Sequence, residues 1–273
     1  MESQRFDPVA VSEPAPAVYE IRVLDSVLDL VESYRLRYDV YRDLGYIAEE
    51  LDAQLEIDEY DACAVPFGAF DVVTGEMVGT LRLIYGEVQP GYEALVRRIL
   101  EDFGDDALIT RAAAPIQRRL PSVLCDRIAA QLAACNTGGF PLVELSRNIT
   151  HPSRRGTGVA RSMMELGIAY AMQHGPAFIV GGCMPEDLPM NARYGYQKLP
   201  GTDLDPFDHI GQIASVMFCR TDVLPEPTRS HVDSLLDCMK SGAPQLTREL
   251  GRGSQAFYPM AAPHRARRRT MEW

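Results

Sequence analysis

Glu144 and Arg147 lie in a short apolar run that leads into Arg154-Arg155-Gly156-Thr157-Gly158, and an apolar helical pattern follows at once. This is the order of a strand, a tight turn and a helix start. Gly156 and Gly158 carry no Cβ, and the first turn of a helix has N–H groups with no partner inside the helix. Oriented amides and the helix dipole favour an anion such as phosphate there, and Arg154 and Arg155 add fixed positive charge. Glu144, on the strand before that loop, is a candidate base. A dinucleotide fingerprint would need three spaced glycines and a P-loop Gly-Lys followed by Ser or Thr; the loop has neither. Glycines at a strand–helix junction also have a purely steric reading, so the loop alone does not decide.

A second set of charges lies upstream: Arg37 within a helical pattern, an Asp-x-x-Asp pair at Asp58 and Asp61, and Arg82 on a later strand. Taken singly, the aspartates read as an exposed acidic turn, and Arg37, among apolar positions, as a partly buried arginine with its stem on the core. A hairpin of Cys63 to Asp71, a turn at Thr74-Gly75 and Met77 to Tyr85 brings Arg82 back beside the acidic pair. Arg37 can pair with the same cluster. In a regular strand Glu144 and Arg147 point to opposite faces, and a bulge would bring them to one.

The elements that must position these residues follow from apolar spacing. A strand spans Val18 to Leu24 and a helix Ser26 to Leu44. After the hairpin come helices at Tyr92–Phe103 and Ser122–Ala134, the Glu144 strand, and a strong helix from Val159 to His174. A buried strand, Phe178 to Gly182, a helical turn from Glu186 to Tyr194, and strands at Tyr196–Leu199 and Ile213–Cys219 complete the pattern. The order predicts a mixed α/β single domain, a central mixed sheet flanked by helices. We expect a flexible lead-in over 1–18, the domain over 19–221, and an extension over 222–273 with one helix near His231–Met239 and a basic tail, Arg265 to Arg269.

At 273 residues and 46% hydrophobic the chain can bury a full core. No apolar run reaches membrane-spanning length and the N-terminus lacks a secretory pattern, so a cytoplasmic protein is expected. A net charge of -11 argues against nonspecific nucleic-acid binding. Six separated cysteines, without metal-ligand spacing, read as reduced thiols, and no metal site is expected.

Arg154 to Val159 resembles the pyrophosphate loop of the GCN5-related N-acetyltransferase (GNAT) superfamily. The stretches YRLRYDVY, LEIDEYDA, VGTLRL and VELSRNI resemble, in order, the motifs of the acyl-homoserine lactone synthases and the related N-acyl amino acid synthases. The resemblance covers roughly Tyr19 to Arg220. It implies a GNAT-like fold. It further implies catalytic roles for Glu144, Arg147, Arg82, Asp58, Asp61 and Arg37, and donor contacts at Ile149, Arg154, Arg155, Gly156, Thr157, Gly158, Val159 and Ala160. The donor would be a fatty acyl thioester of coenzyme A or of an acyl carrier protein, with no permanently bound cofactor, and the acceptor a small amine such as an amino acid.

Two departures bear on the product. The lactone synthases carry an aromatic residue, usually Trp, after the first helix, where this chain has Tyr46-Ile47, and their phosphate loop tends to be degenerate where this one is complete. Both favour an N-acyl amino acid synthase-like enzyme. The alternatives are a lactone synthase using S-adenosylmethionine, an acetyl-CoA N-acetyltransferase, and a non-catalytic acyl-ligand sensor. Tyr194 or Tyr196 can serve as a proton donor to the thiolate, though core packing is the preferred reading. Met163, Met164, Phe178 and Met184 can line an acyl tunnel, with helical core again preferred.

Overall fold

The first apolar run becomes strand β1 (Ala17–Val23). Ser26 then caps helix α1 (Val27–Asp43), its hydroxyl accepting the Asp29 N–H at 3.2 Å. The computed structural model describes residues 17–47, 51–85, 89–104, 109–110, 112, 126–184, 187–202, 205–207, 212–240, 245–250 and 256–259. Residues 1–16 of the lead-in expected over 1–18, the start of the helix expected at Ser122 and the tail Arg265–Arg269 lie outside these residues, while Ala17 and Val18 are not lead-in but already part of β1.

Strands β2 (Ala64–Asp71) and β3 (Met77–Ile84) form the expected hairpin, and every residue of both is buried. Strands buried on both faces belong at the middle of a sheet covered by helices on each side. Helices α2 (Pro90–Phe103) and α3 (Asp126–Cys135) follow, then β4 (Leu142–Thr150), α4 (Val159–Ala171) and β5 (Phe178–Cys183). The chain continues through α5 (Leu188–Ala192), β6 (Gln197–Lys198), β7 (Asp205–Phe207), β8 (Gln212–Arg220), α6 (Glu226–Lys240), β9 (Gln245–Leu250) and β10 (Ala256–Pro259).

The sheet order is β10-β9-β1-β2-β3-β4-β5-β8-β6, with β7 paired to β8. All neighbours are antiparallel except β4 and β5, which α4 connects. Residues of α1 and α2, including Leu30, Tyr34, Val96 and Ile99, pack with Leu55, Ile57 and Ile149 on one face. Ile128 and Leu132 of α3 cover Phe178, Val180 and Val216. Met163 and Ile168 of α4, with Val232 and Leu235 of α6, pack on Phe67, Leu81 and Leu145 from the other face. Each fully buried side chain of this size contributes roughly 1.5–3 kcal/mol.

The extension expected to hold one helix also supplies β9 and β10. Their pairing is long-range, Ala17 opposite Leu250 and Ala256 opposite Glu249, and nothing local in the polar stretch QLTREL signals it. Among the described residues no helix is long and apolar enough to cross a membrane.

Candidate active site

Arg37 projects from α1 into the protein, 2% exposed, and finds carboxylates waiting. Its Nη1 and Nη2 donate to the two oxygens of Asp61 at 2.8 and 3.1 Å, and its Nε donates to Glu56. Arg82, 1% exposed on β3, donates through Nη1 and Nη2 to both oxygens of Asp58 at 2.6 and 2.7 Å, through Nη1 to Asp61 at 2.8 Å, and through Nε to the Ser146 hydroxyl at 2.9 Å. Arg147 closes the set, its Nη2 donating to Glu56 at 2.7 Å and to Asp58 at 2.9 Å. Arg37, Arg82 and Arg147 thus face Glu56, Asp58 and Asp61, with no net charge left inside. Of the two readings of Asp58 and Asp61, the structure holds the pairing with Arg82 and Arg37 and not the exposed acidic turn. Desolvating such charges costs several kcal/mol each, and only dense, bidentate pairing offsets it.

Burial alone would push the Glu56 carboxyl up, but the Arg147 and Arg37 guanidiniums outweigh it and hold it at about 2. For Asp58, too, burial is outweighed by Arg82 and Arg147, and its carboxyl lies well below the carboxylate range. Both groups titrate lower in the folded than in the unfolded chain, so between the ordinary carboxylate range and about pH 2 the unfolded chain binds more protons. Their contribution is complete above about pH 5 and is lost as pH falls toward 2. Urea midpoints measured down a pH series are expected to stay level above that point and drop steeply below it.

The bulge suggested by the odd Glu144–Arg147 spacing is present. Thr80 pairs with Ile149 and Arg82 with Ser146, so β4 carries an extra residue there, and Arg147 takes a left-handed φ of 53°. That conformation is uncommon for a residue with a Cβ and carries strain of about 1–3 kcal/mol. It turns Arg147 to the face that Ser146 shares with Arg82, where its guanidinium also lies 5.4 Å from the Tyr41 ring centroid. Glu144 sits two residues before Ser146, opposite Ile84 on one side and Val180 on the other, and is 2% exposed. The bulge thus sets Glu144, Ser146 and Arg147 on one face, although Arg147 pairs with Glu56 and Asp58 rather than with Glu144.

The parallel ladder between β4 and β5 runs through Leu142/Phe178, Val143/Ile179 and Glu144/Val180, and ends there. At the next position, a Cβ on Gly181 would stand 2.7 Å from the Leu145 carbonyl oxygen, so only glycine fits where the strands begin to part. Beyond it a cleft of about 750 Å³ opens, lined by Glu144 to Thr150, by Arg154 to Gly156 and Gly158 to Arg161, and by Gly181 to Met184. Tyr41, Leu44 and Tyr46 close one side.

At the rim, Gly156 (φ 76°) and Gly158 (φ 94°) turn the chain into α4, with Gly158 as its N-cap. The Thr157 hydroxyl donates to the Arg154 carbonyl at 2.6 Å, which stiffens the turn. The two loop arginines differ. Arg154 donates to Asp71 at 2.8 Å, whereas Arg155 is exposed and its guanidinium makes no ion pair among the described residues. Val159 is buried and packs in the core as well as lining the cleft, as does Ile149.

Glu56, Ser146 and Asp71 belong to this arrangement, and the reading of the sequence passed over them. Glu56 had one available signal: it stands two residues before Asp58, the spacing that puts neighbours of an extended segment on one side. Of the suggested tunnel residues, Met164 and Met184 line the cleft, joined by Met190 and Met217, while Met163 and Phe178 sit in the core clusters. Tyr194 and Tyr196 also pack in the core. Tyr196 nevertheless lines the cleft, as do Asn148, Thr150 and Asn191, and each leaves a buried oxygen without a hydrogen-bond partner.

Comparison with known proteins bears on this cleft. The profile of the family described as FeeM, N-acyl amino acid synthase FeeM, matches residues 32–206. No curated protein sequence matches. Among solved structures, TofI in a ternary complex with an inhibitor and MTA superposes with a TM-score of 0.51 at 18% identity, over 79% of this chain and 98% of that one. FeeM, an N-acyl amino acid synthase from uncultured soil microbes, gives 0.48 at 17% identity over 79% and 95%. BjaI, a CoA-dependent acyl-homoserine lactone synthase, gives 0.47 at 18% over 81% and 90%. The sheet, with its parted β4 and β5 and its glycine turn into α4, has the GNAT-like architecture. With the match spanning well over half of its length and every motif from Arg37 to Gly158, the chain belongs to the N-acyl amino acid synthase FeeM family and is an N-acyltransferase.

Proposed function

We propose that the enzyme moves a medium or long fatty acyl group from a phosphopantetheine thioester to the amino group of an amino acid, by direct attack in a ternary complex. The observation that carries this reading is the cleft between β4 and β5, with a carboxylate at its inner end and the amino end of a helix at its rim. Between Glu144 and Thr150, β4 spans roughly 15–20 Å, on the scale of an extended pantetheine arm. The donor phosphate would sit on the amides that follow Gly156 and Gly158, with Arg155 beside it. The amide oxygens of Asn148 and Asn191 need donors, and the arm brings two amide N–H groups. The methionines of the cleft suit a flexible acyl chain.

The neutral amine attacks the thioester carbon, a C–N bond forms, and the carbonyl oxygen becomes an oxyanion. Glu144, directly or through water, takes the amine proton; collapse breaks the C–S bond and releases the thiolate. The charge network around Arg37, Arg82 and Arg147 holds β3, β4 and the segment before β2 in one geometry, so that Glu144 and the acceptor meet at a fixed distance.

Thiol release from coenzyme A thioesters of increasing chain length, with and without single amino acids, tests the reading. Release that requires an amino acid and rises from acetyl to medium and long chains is expected. Preference for acetyl, or release without any amine dependence, would contradict it. Gly158→Val should cost about 1–2 kcal/mol through its left-handed φ and weaken acyl-CoA binding at least about tenfold by withdrawing the amide cradle, as calorimetric titration would measure.

A further inference from the structure

A phosphopantetheine donor ends in sulfur, and the cleft read above as receiving its arm has a thiol of its own. Among the described residues, Cys183 at the end of β5 is the cysteine that lines the cleft. Cys63, Cys135, Cys219 and Cys238 pack in the apolar clusters and do not line it. Strand residues two apart share a face and stand roughly 7 Å from each other, so Cys183 shares a face with Gly181, where β4 and β5 begin to part. Glu144 lies opposite Val180, one residue earlier. A thioester delivered to Glu144 stands at this parting, and its sulfur comes within reach of Cys183.

The surroundings of the thiol suit sulfur chemistry. Asn191 on α5 donates through Nδ2 to Sγ at 2.8 Å, and the thiol donates to the Met184 carbonyl at 3.2 Å. A donor aimed at the sulfur favours the thiolate, which is the reactive form. Independently, Tyr196, 6% exposed, lines the same cleft and packs in the same core cluster as Cys183, and its hydroxyl has no hydrogen-bond partner. A buried hydroxyl without an acceptor is costly, and a sulfur anion formed beside it supplies one.

We propose that Cys183 is a site of reversible disulfide modification by the oxidised form of the pantetheine thiol, coenzyme A disulfide, which the arm cleft selects. This rests on the acyl-transfer reading above, which gives the cleft its arm. The Cys183 thiolate, its proton passed to solvent, attacks one sulfur of the disulfide. An S–S bond forms between Cys183 and one coenzyme A, the original S–S bond breaks, and the second coenzyme A leaves with the electron pair and takes up a proton. Cys183 is oxidised and the departing sulfur is reduced, so no further oxidant is needed. The attached arm fills the cleft until a reducing thiol reverses the exchange.

Reduced, desalted enzyme treated with coenzyme A disulfide tests this by intact mass, peptide mapping and amide formation from decanoyl-CoA. One adduct of coenzyme A less two hydrogens is expected on Cys183, with turnover lost in proportion and restored by dithiothreitol. Glutathione disulfide, which lacks the arm, is expected to react about tenfold or more slowly, and desulfo-coenzyme A is expected to protect. Cys183→Ser is expected to take no adduct and to keep its own turnover through the same treatment; mapping on wild type assigns the site whether or not that variant folds.

An adduct on another cysteine, equal rates with both disulfides, or a Cys183 adduct that leaves turnover untouched would overturn the site. Amide formation with no adduct would remove the site and leave acyl transfer in place. A Cys183 adduct that desulfo-coenzyme A prevents, on an enzyme that makes no amide, would support the site and remove the acyl-transfer reading.

Discussion

Arg82→Met is expected to cost the fold about 3–5 kcal/mol, the usual consequence of removing one partner from a buried ion pair. Arg82 supplies the two-pronged contact to Asp58, a bond to Asp61 and the bond to Ser146 on β4. Methionine fills much of the same volume, so the loss is electrostatic rather than a cavity. Asp58 then keeps only Arg147 as a charged partner in a site with little water. Its carboxyl rises, and the acid transition moves to higher pH. Arg82→Lys keeps the charge but not the planar fork and is expected to fall between. Urea unfolding followed by circular dichroism measures both, and an unchanged midpoint for Arg82→Met would mean that the network does not hold the sheet together.

Glu144→Gln is the second large effect, and it falls on turnover. The amide has nearly the shape of the carboxylate and can keep hydrogen bonds at that position, but it cannot accept a proton. General-base contributions are typically 10²–10⁴-fold, and a fall of about that size in kcat is expected, with KM for the donor little changed. The limb of the pH–rate profile that reports the base should vanish with it. Far-UV circular dichroism and the urea midpoint should stay near wild type, which separates this variant from Arg82→Met. A kcat within a fewfold of wild type would remove Glu144 from the proton transfer.

Much of this was readable from local pattern. Apolar spacing marked α1, the β2–β3 hairpin and α4 within a few residues, since periodicity, Ser26 and the glycine turns all act locally. Pairing was harder. That Arg82 returns beside Asp58 and Asp61 was legible from the hairpin, but the solvated turn stayed open as a second reading because nothing near them in the chain shows how deeply the cluster is buried. Glu56 escaped notice because its partners, Arg37 and Arg147, arrive from α1 and β4. The bulge at Arg147 was legible as a requirement, from the odd spacing to Glu144, because a regular strand cannot put both on one face. Asp71 as the anchor of Arg154 was not legible, because a contact between a hairpin end and a loop far along the chain leaves no periodic trace.

The most direct test of acyl transfer to an amino acid is the intact mass of the product. Purified enzyme would be given decanoyl thioesters on coenzyme A and on carrier protein, with isotopically labelled amino acids and S-adenosylmethionine together. The expected product is an amide whose mass is that of the acyl group plus one labelled amino acid less water. An acyl-homoserine lactone accompanied by methylthioadenosine would contradict the proposed acceptor, and tight thioester binding with no product would contradict transfer altogether.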